Sequence, residues 1–271
     1  MDDMVAMARL IDALRPWLHH VVFVGGWAHR LHRHHPLANA PAHQPLGTRD
    51  ADVAFASRAS LRGDIRAALA TAGFEEMLTG DDTPPIAEYR LGAENQGFYV
   101  EFLTPLQGSG MRRDGTADTA VRKAGITAQK VRHLEILLVK PWSVALGTEV
   151  GIPLSDPAEL ALPNPVTFIA QRLLIQKYRS PGKSAQDALY IHDTLELFGG
   201  ELETLRSLWR DGVRPELTHG RAAEIQELCV LHFSTVTDVI RTAVRMPIGR
   251  DLSADRVQRA CAYGLEVVFA E

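Results

Sequence analysis

The sequence predicts an α+β protein, a mixed sheet with flanking helices followed by a C-terminal helical domain. Three observations carry this expectation. Short apolar runs at 21–24, 53–55, 86–91 and 98–103 fall in the first 110 residues and read as strands. Helical spacing of apolar residues dominates beyond residue 165. Between the two, prolines crowd residues 157–165 and mark a boundary, so domains of 1–156 and 157–271 are expected.

Each element has its own signal. Residues 4–17 space Val5, Leu10, Ile11 and Leu14 as a helix does, with Pro16 near the end. Residues 21–24 form a short buried strand, Gly25-Gly26 a tight turn, and residues 27–35 a helix that stops before Pro36. Asp50 and Asp52 stand two apart at the start of the next strand, so alternation sends both carboxylates to one side. Residues 60–72 read as a helix capped by Ser60 and ended by Gly73. Residues 81–85 form a turn, and 92–97 a hairpin connection between strands 86–91 and 98–103. Residues 106–130 read as an excursion, 134–139 as a further strand, and 142–153 as a short hairpin. Helices are then expected at 166–179, 184–198, 201–211, 221–246 and 253–268.

Two acids need an explanation. Asp52 sits among Ala51, Val53, Ala54 and Phe55, although aspartate is depleted inside strands. Glu101 is a lone acid among apolar neighbours, and burying it unpaired costs several kcal/mol. A divalent metal held jointly by Asp50, Asp52 and Glu101 answers both.

Gly25-Gly26 after a strand, then a helix, then Thr48-Arg49-Asp50-Ala51-Asp52 opening a hydrophobic strand resembles the DNA-polymerase-β-like nucleotidyltransferase superfamily. Within it, the pattern is similar to bacterial nucleotidyltransferase-fold proteins of abortive-infection and toxin–antitoxin systems. The resemblance implies a nucleotidyltransferase-type sheet in which Gly25, Gly26 and Thr48 hold the phosphates of an NTP. It implies that Asp50 and Asp52 bind two Mg²⁺ (or Mn²⁺) ions and that Glu101, where most relatives have Asp, completes the catalytic set. The segment QKYRSPGKSAQDALYIHD, residues 176–193, is similar to one that abortive-infection relatives place over the triphosphate. That assigns Lys177, Lys183 and Asp187 to nucleotide binding, with Gln186 and Tyr190 departing from the relatives' lysine and second acid.

The expected activity is transfer of a nucleoside monophosphate from an NTP to an acceptor, which is an RNA end, a protein hydroxyl or a small molecule. A non-catalytic nucleotide-binding or interaction protein on the same fold is the alternative. A third reading is a zinc protein using His29, His32, His34, His35 and His43, in which no cysteine or acid completes the set at ligand spacing. Arg112, Arg113, Arg122, Lys123, Lys130 and Arg132 either line an acceptor groove or face solvent. A net charge of −4 supplies no global basic field, so a nucleic-acid partner needs such a local patch. Cys229 and Cys261 read as buried free thiols of a reducing compartment. The acidic, amphipathic start is unlike a signal peptide, and no apolar run nears the roughly 18–20 residues that span a bilayer. A cytoplasmic protein without a membrane partner is expected.

Overall fold

The computed structural model describes residues 2–79, 86–93, 96–111 and 115–270, and the chain divides into two compact units. Met1–His35 with Gly47–Pro163 makes an α/β unit; Pro36–Leu46 with Asn164–Glu271 makes a helical one. The expected turn at 81–85, residues 94 and 95 of the hairpin connection, and Arg112 and Arg113 lie outside the described residues.

A seven-stranded mixed sheet organises the first unit. Its strands are β1 (Val22–Val24), β2 (Asp50–Ala54), β3 (Glu75–Thr79), β4 (Ile86–Leu91), β5 (Phe98–Pro105), β6 (Ala120–Lys123) and β7 (Ile126–Val131). The main order is β1-β2-β5-β4-β3, parallel only between β2 and β5. The long β5 is its axis. β2 runs along one side of it, while β4 pairs with its first half and β7, in parallel, with its last three residues.

The pleat sorts side chains onto two faces. Ala51, Val53, Tyr89, Leu91, Val100 and Phe102 fall on one and are all buried, with the Tyr89 ring edge-on to Phe102 at 5.8 Å. The helices α1 (Asp3–Leu14) and α3 (Ile65–Thr71) contribute fully buried Met7, Leu10, Ile11, Leu14, Ile65 and Leu69 to the core. Burying each such side chain is worth about 1.5–3 kcal/mol. The other face carries Asp52 and Glu101. Further along the same strands, Ala54 and Leu103 are covered, with Val22 and Val24, by Leu134 and Leu137 of the short helix α4 (Leu134–Leu137).

Several local expectations give way here. Residues 134–139 are not a strand. So short an apolar run does not separate strand from helix by periodicity, and left-handed backbone at His133 (φ 61°) and Lys140 (φ 48°) bounds the segment. The helix expected from Ser60 begins only at Ile65, because Gly63 (φ 87°) breaks it and Asp64 accepts from Ala67 N as the cap, at 2.9 Å. The excursion at 106–130 contains the β6–β7 hairpin, turned by Ala124-Gly125 with both φ positive. The strand β8 (Trp142–Leu146) pairs antiparallel with β9 (Ala158–Leu162) rather than with residues near 152. Pro157 and Pro163 flank β9 without interrupting its ladder, which is where a strand tolerates proline.

The second unit holds α5 (Pro165–Ile175), α6 (Pro181–Leu197), α7 (Leu202–Ser207), α8 (His219–Phe233), α9 (Asp238–Ala243) and α10 (Ala254–Val268). Asn164 caps α5 by accepting from Thr167 N at 2.9 Å, and Pro165 takes the first helical position. The single helix expected over 221–246 is two, since Thr237 accepts from Ile240 N and starts α9 anew. Cys229 and Cys261 are free and buried. Among the described residues no helix is long and apolar enough to cross a membrane.

Candidate active site

Strand register builds the site. β2 and β5 set Asp52 directly opposite Glu101, and β4 sets Glu88 opposite Glu101 from the other side. Adjacent strands lie about 4.8 Å apart, so three carboxylates form one row across the sheet. Asp50, on the same face as Asp52, is opposite Tyr99, which is opposite Arg90. Arg90 in turn is bound to Glu75 at 2.9 Å. Asp50 is exposed, whereas Asp52, Glu101 and Glu88 are half-buried. Glu88 is the member that sequence reasoning missed. Its strand was legible, but its neighbour depends on the β4–β5 register.

The row is electrostatically loaded. Burial, then the charges of Asp52, Glu88 and Asp50, push the Glu101 carboxyl up to about 7. Burial and then Asp50 raise Glu88 as well, with Arg90 opposing. Like charges directly opposite in a sheet are destabilising, and a cation among them removes the penalty. Carboxylates are the donor chemistry that suits a hard divalent ion, although among the described residues these acids do not bring three ligand atoms within 4.8 Å of one another.

Gly25 closes the other side. Val24 is opposite Asp52, and the chain then turns straight into α2 (Gly25–His32), so the two glycines are the helix's first residues. Gly25 has φ 66°, and a Cβ there would run into Asp52 Oδ2 and stand 3.0 Å from Cγ. Only glycine lets the backbone approach that carboxylate so closely. No side chain caps α2. The N–H groups of its first turn, which have no partner within a helix, therefore lie beside the acids, at a dipole end that favours anions. Thr48 Oγ1 donates to Asp50 O at 3.3 Å and accepts from Asp50 N at 3.4 Å, fixing the approach to β2.

The histidines do not gather. His29 and His32 are buried in α2, and His32 Nε2 lies 2.7 Å from Pro163 O. Burial pulls the His32 ring down to about 4. His35 stacks on Trp142 at 4.1 Å. Of the basic residues, Lys123 donates to Ser57 O at 2.9 Å, Lys130 pairs with Asp118 at 2.6 Å, and Arg132 donates to Ser109 O at 2.8 Å. Arg122 is exposed.

In the helical unit, Lys177 is exposed and 3.4 Å from Glu224, and Lys183 is exposed in the first turn of α6. Asp187 is buried. It accepts from Arg172 at 3.1 Å and from Arg179 Nε at 2.9 Å. Tyr190, also buried, accepts from Gln186 at 3.2 Å.

A family model described as nucleotidyltransferase matches residues 2–213, a span that takes in the acidic row, the α2 start and the helices α5 to α7. Comparison with curated proteins gives no match. The matched span is well over half of the 271 residues, and on that extent the chain belongs to the nucleotidyltransferase family.

Proposed function

We propose that the protein is a Mg²⁺- or Mn²⁺-dependent nucleotidyltransferase of the DNA-polymerase-β-like type, moving a nucleoside monophosphate from an NTP to an acceptor hydroxyl. The observation that carries this reading is the cross-strand pair Asp52–Glu101 beside the uncapped start of α2. In the reaction the acceptor oxygen bonds to the α-phosphorus, the bond from that phosphorus to the bridging oxygen breaks, and pyrophosphate leaves with the electron pair. Divalent ions, when bound, supply positive charge to the phosphate oxygens and acidify the hydroxyl.

The chain's own residues do the rest. Asp50, Asp52 and Glu101 hold the cations. Glu101, directly opposite Asp52, also takes the hydroxyl proton. Gly25 and Gly26 offer backbone N–H groups to phosphate oxygens, and Thr48 shapes the loop beside them. Lys177, Lys183 and Asp187 are assigned to nucleotide binding on the likeness of their segment alone, and Asp187 accepts from Arg172 and Arg179. The Gly25-Gly26 and Thr48–Asp52 pattern, together with this segment, supports a likeness to abortive-infection and toxin–antitoxin nucleotidyltransferases. A cytoplasmic site of action, where NTPs are abundant, accords with the two free buried thiols.

The acceptor is an RNA end, a protein hydroxyl or a small molecule, and a transfer assay chooses among them. Protein incubated with each α-labelled NTP and Mg²⁺ or Mn²⁺ should pass label to one acceptor class and release pyrophosphate, and Asp52→Asn should abolish both. Mg²⁺-dependent NTP binding with no pyrophosphate from any NTP or acceptor would favour the non-catalytic reading.

A further inference from the structure

The row of acids has two ends, and only one of them has a role so far. At that end Gly25 and the uncapped start of α2 adjoin Asp52. At the other end β4 sets Glu88 opposite Glu101, and β3 sets Met77 opposite Glu88. Two strand spacings separate Asp52 from Glu88, so their backbones stand about 10 Å apart. Glu88 is half-buried, and among the described residues its carboxyl group has no hydrogen-bond or ion-pair partner. Arg90, two residues further along β4, is bound to Glu75 at 2.9 Å. Among the described residues Glu88 also forms no three-ligand group with Asp52 and Glu101.

The direction of the reaction gives this end its use. In-line displacement puts the attacking and leaving oxygens on opposite sides of the α-phosphorus. With the leaving pyrophosphate held at the α2 end, the acceptor enters from the β4 end, over Glu88 and Met77. Its attacking hydroxyl carries one proton, and Glu101 takes that proton. An ionised carboxylate only accepts hydrogen bonds. Glu88 therefore meets a second donor on the acceptor, a hydroxyl or an amine beside the attacking oxygen. Met77, half-buried, offers an apolar surface to the acceptor's carbon skeleton.

We propose that Glu88 is an acceptor-binding residue, which accepts a hydrogen bond from a donor group next to the attacking hydroxyl and so selects acceptors bearing a vicinal diol or an amino alcohol. The proposal rests on the nucleotidyltransferase reading of the same site. The bonds made and broken are those of that reaction, and Glu88 takes up no proton in it.

The test compares full-length wild type, Glu88→Ala, Glu88→Gln and Asp52→Asn. Binding of a fluorescent, non-hydrolysable NTP analogue with Mn²⁺ is measured first. Label transfer from an α-labelled NTP is then followed to paired acceptors, an RNA ending in a ribose diol against the same RNA ending in deoxyribose, and glucosamine against deoxyglucose. A serine peptide serves as an acceptor without a neighbouring hydroxyl or side-chain amine. Wild type should prefer the donor-bearing member of a pair by about tenfold or more in kcat/KM. Glu88→Ala should lose that preference yet bind the analogue as wild type does, and Glu88→Gln, whose amide oxygen still accepts, should keep part of it. Asp52→Asn should not bind the analogue. An undiminished preference in Glu88→Ala, or transfer without preference in the wild type, would overturn the proposal and leave the transferase reading standing. Loss of analogue binding in Glu88→Ala would overturn it by making Glu88 a cation ligand. A wild type that binds no analogue, or labels none of these acceptors, would overturn the proposal together with the transferase reading.

Discussion

Gly25 lies against the Asp52 carboxylate so closely that no side chain fits between them. The contact couples a backbone conformation to the position of an acid, and it gives the first expected outcome. Gly25→Ala must both accept φ 66° and displace Asp52, which together cost about 1–3 kcal/mol. The variant should melt at lower temperature and lose most of any Mn²⁺-induced thermal shift. A variant that melts lower yet keeps the full shift would separate the glycine from the metal.

Asp52→Asn removes one charge from the row without changing shape. A ligand that binds only the folded state stabilises it by about 2.7 kcal/mol at a hundred times its Kd. Wild-type protein should gain on that order from saturating Mn²⁺, whereas the variant should gain little while its metal-free form stays as stable or becomes more so. Differential scanning fluorimetry across a Mn²⁺ series reads this directly. Indifference of the wild type to Mg²⁺ and Mn²⁺, with and without NTP, would remove the metal-dependent mechanism.

Glu101 sets a pH dependence whose sign follows from its raised pKa. Below about pH 4.5 the carboxyl is protonated in both folded and unfolded chains, so it has no effect on stability there. Between about 4.5 and 7 the folded chain holds a proton that the unfolded chain has lost, so stability falls as pH rises. Above 7 the penalty is complete. Relative to metal-free wild type, Glu101→Gln should therefore gain stability steadily across that window, as measured by urea midpoints. Glu88→Gln removes a neighbouring charge and should move the decline to lower pH. A stability difference between Glu101→Gln and wild type that is flat from pH 4.5 to 7 would show the carboxyl to be less perturbed.

Asp187→Ala tests the helical unit. It strands Arg172, whose side chain is only 7 % exposed, beside a vacated partner. Removing one member of a buried ion pair costs about 3–5 kcal/mol. Urea unfolding should show a loss of that order, and Lys183→Ala, at an exposed position, should show almost none. If both substitutions were equally mild, Asp187 would not be fixing its arginines.

What the sequence disclosed follows the range of the interactions involved. β2, β4 and β5 were legible because alternation and turn residues are local signals. The orientation of Asp50 and Asp52 to one side was readable for the same reason. Glu88 was not, because its place opposite Glu101 depends on which strand pairs with β5. The β8–β9 pairing joins residues 142 and 162 across an irregular stretch, and no local pattern announces it. Residues 134–139 failed differently. Their composition suits strand or helix, and packing on Ala54 and Leu103 decided between them. The histidines of 29–43 looked like a set in sequence, yet His32, His35 and His43 each meet a different partner.

The Pro36–Leu46 segment belongs to the helical unit while the residues on both sides of it belong to the α/β unit. Its anchors arrive late. Asn39 N donates to Leu197 O at 2.8 Å, and His43 meets Glu196, both far downstream on the chain. During synthesis, then, the ribosome releases this piece long before the helix it will rest on exists. The loop between α2 and β2 meets these two partners only once α6 has emerged. A single cut after Pro163 would leave the same piece stranded on the wrong fragment. Separating the protein into its two units therefore calls for a rearranged chain order, with Pro36–Leu46 spliced onto the helices and the α2–β2 gap bridged by a short linker.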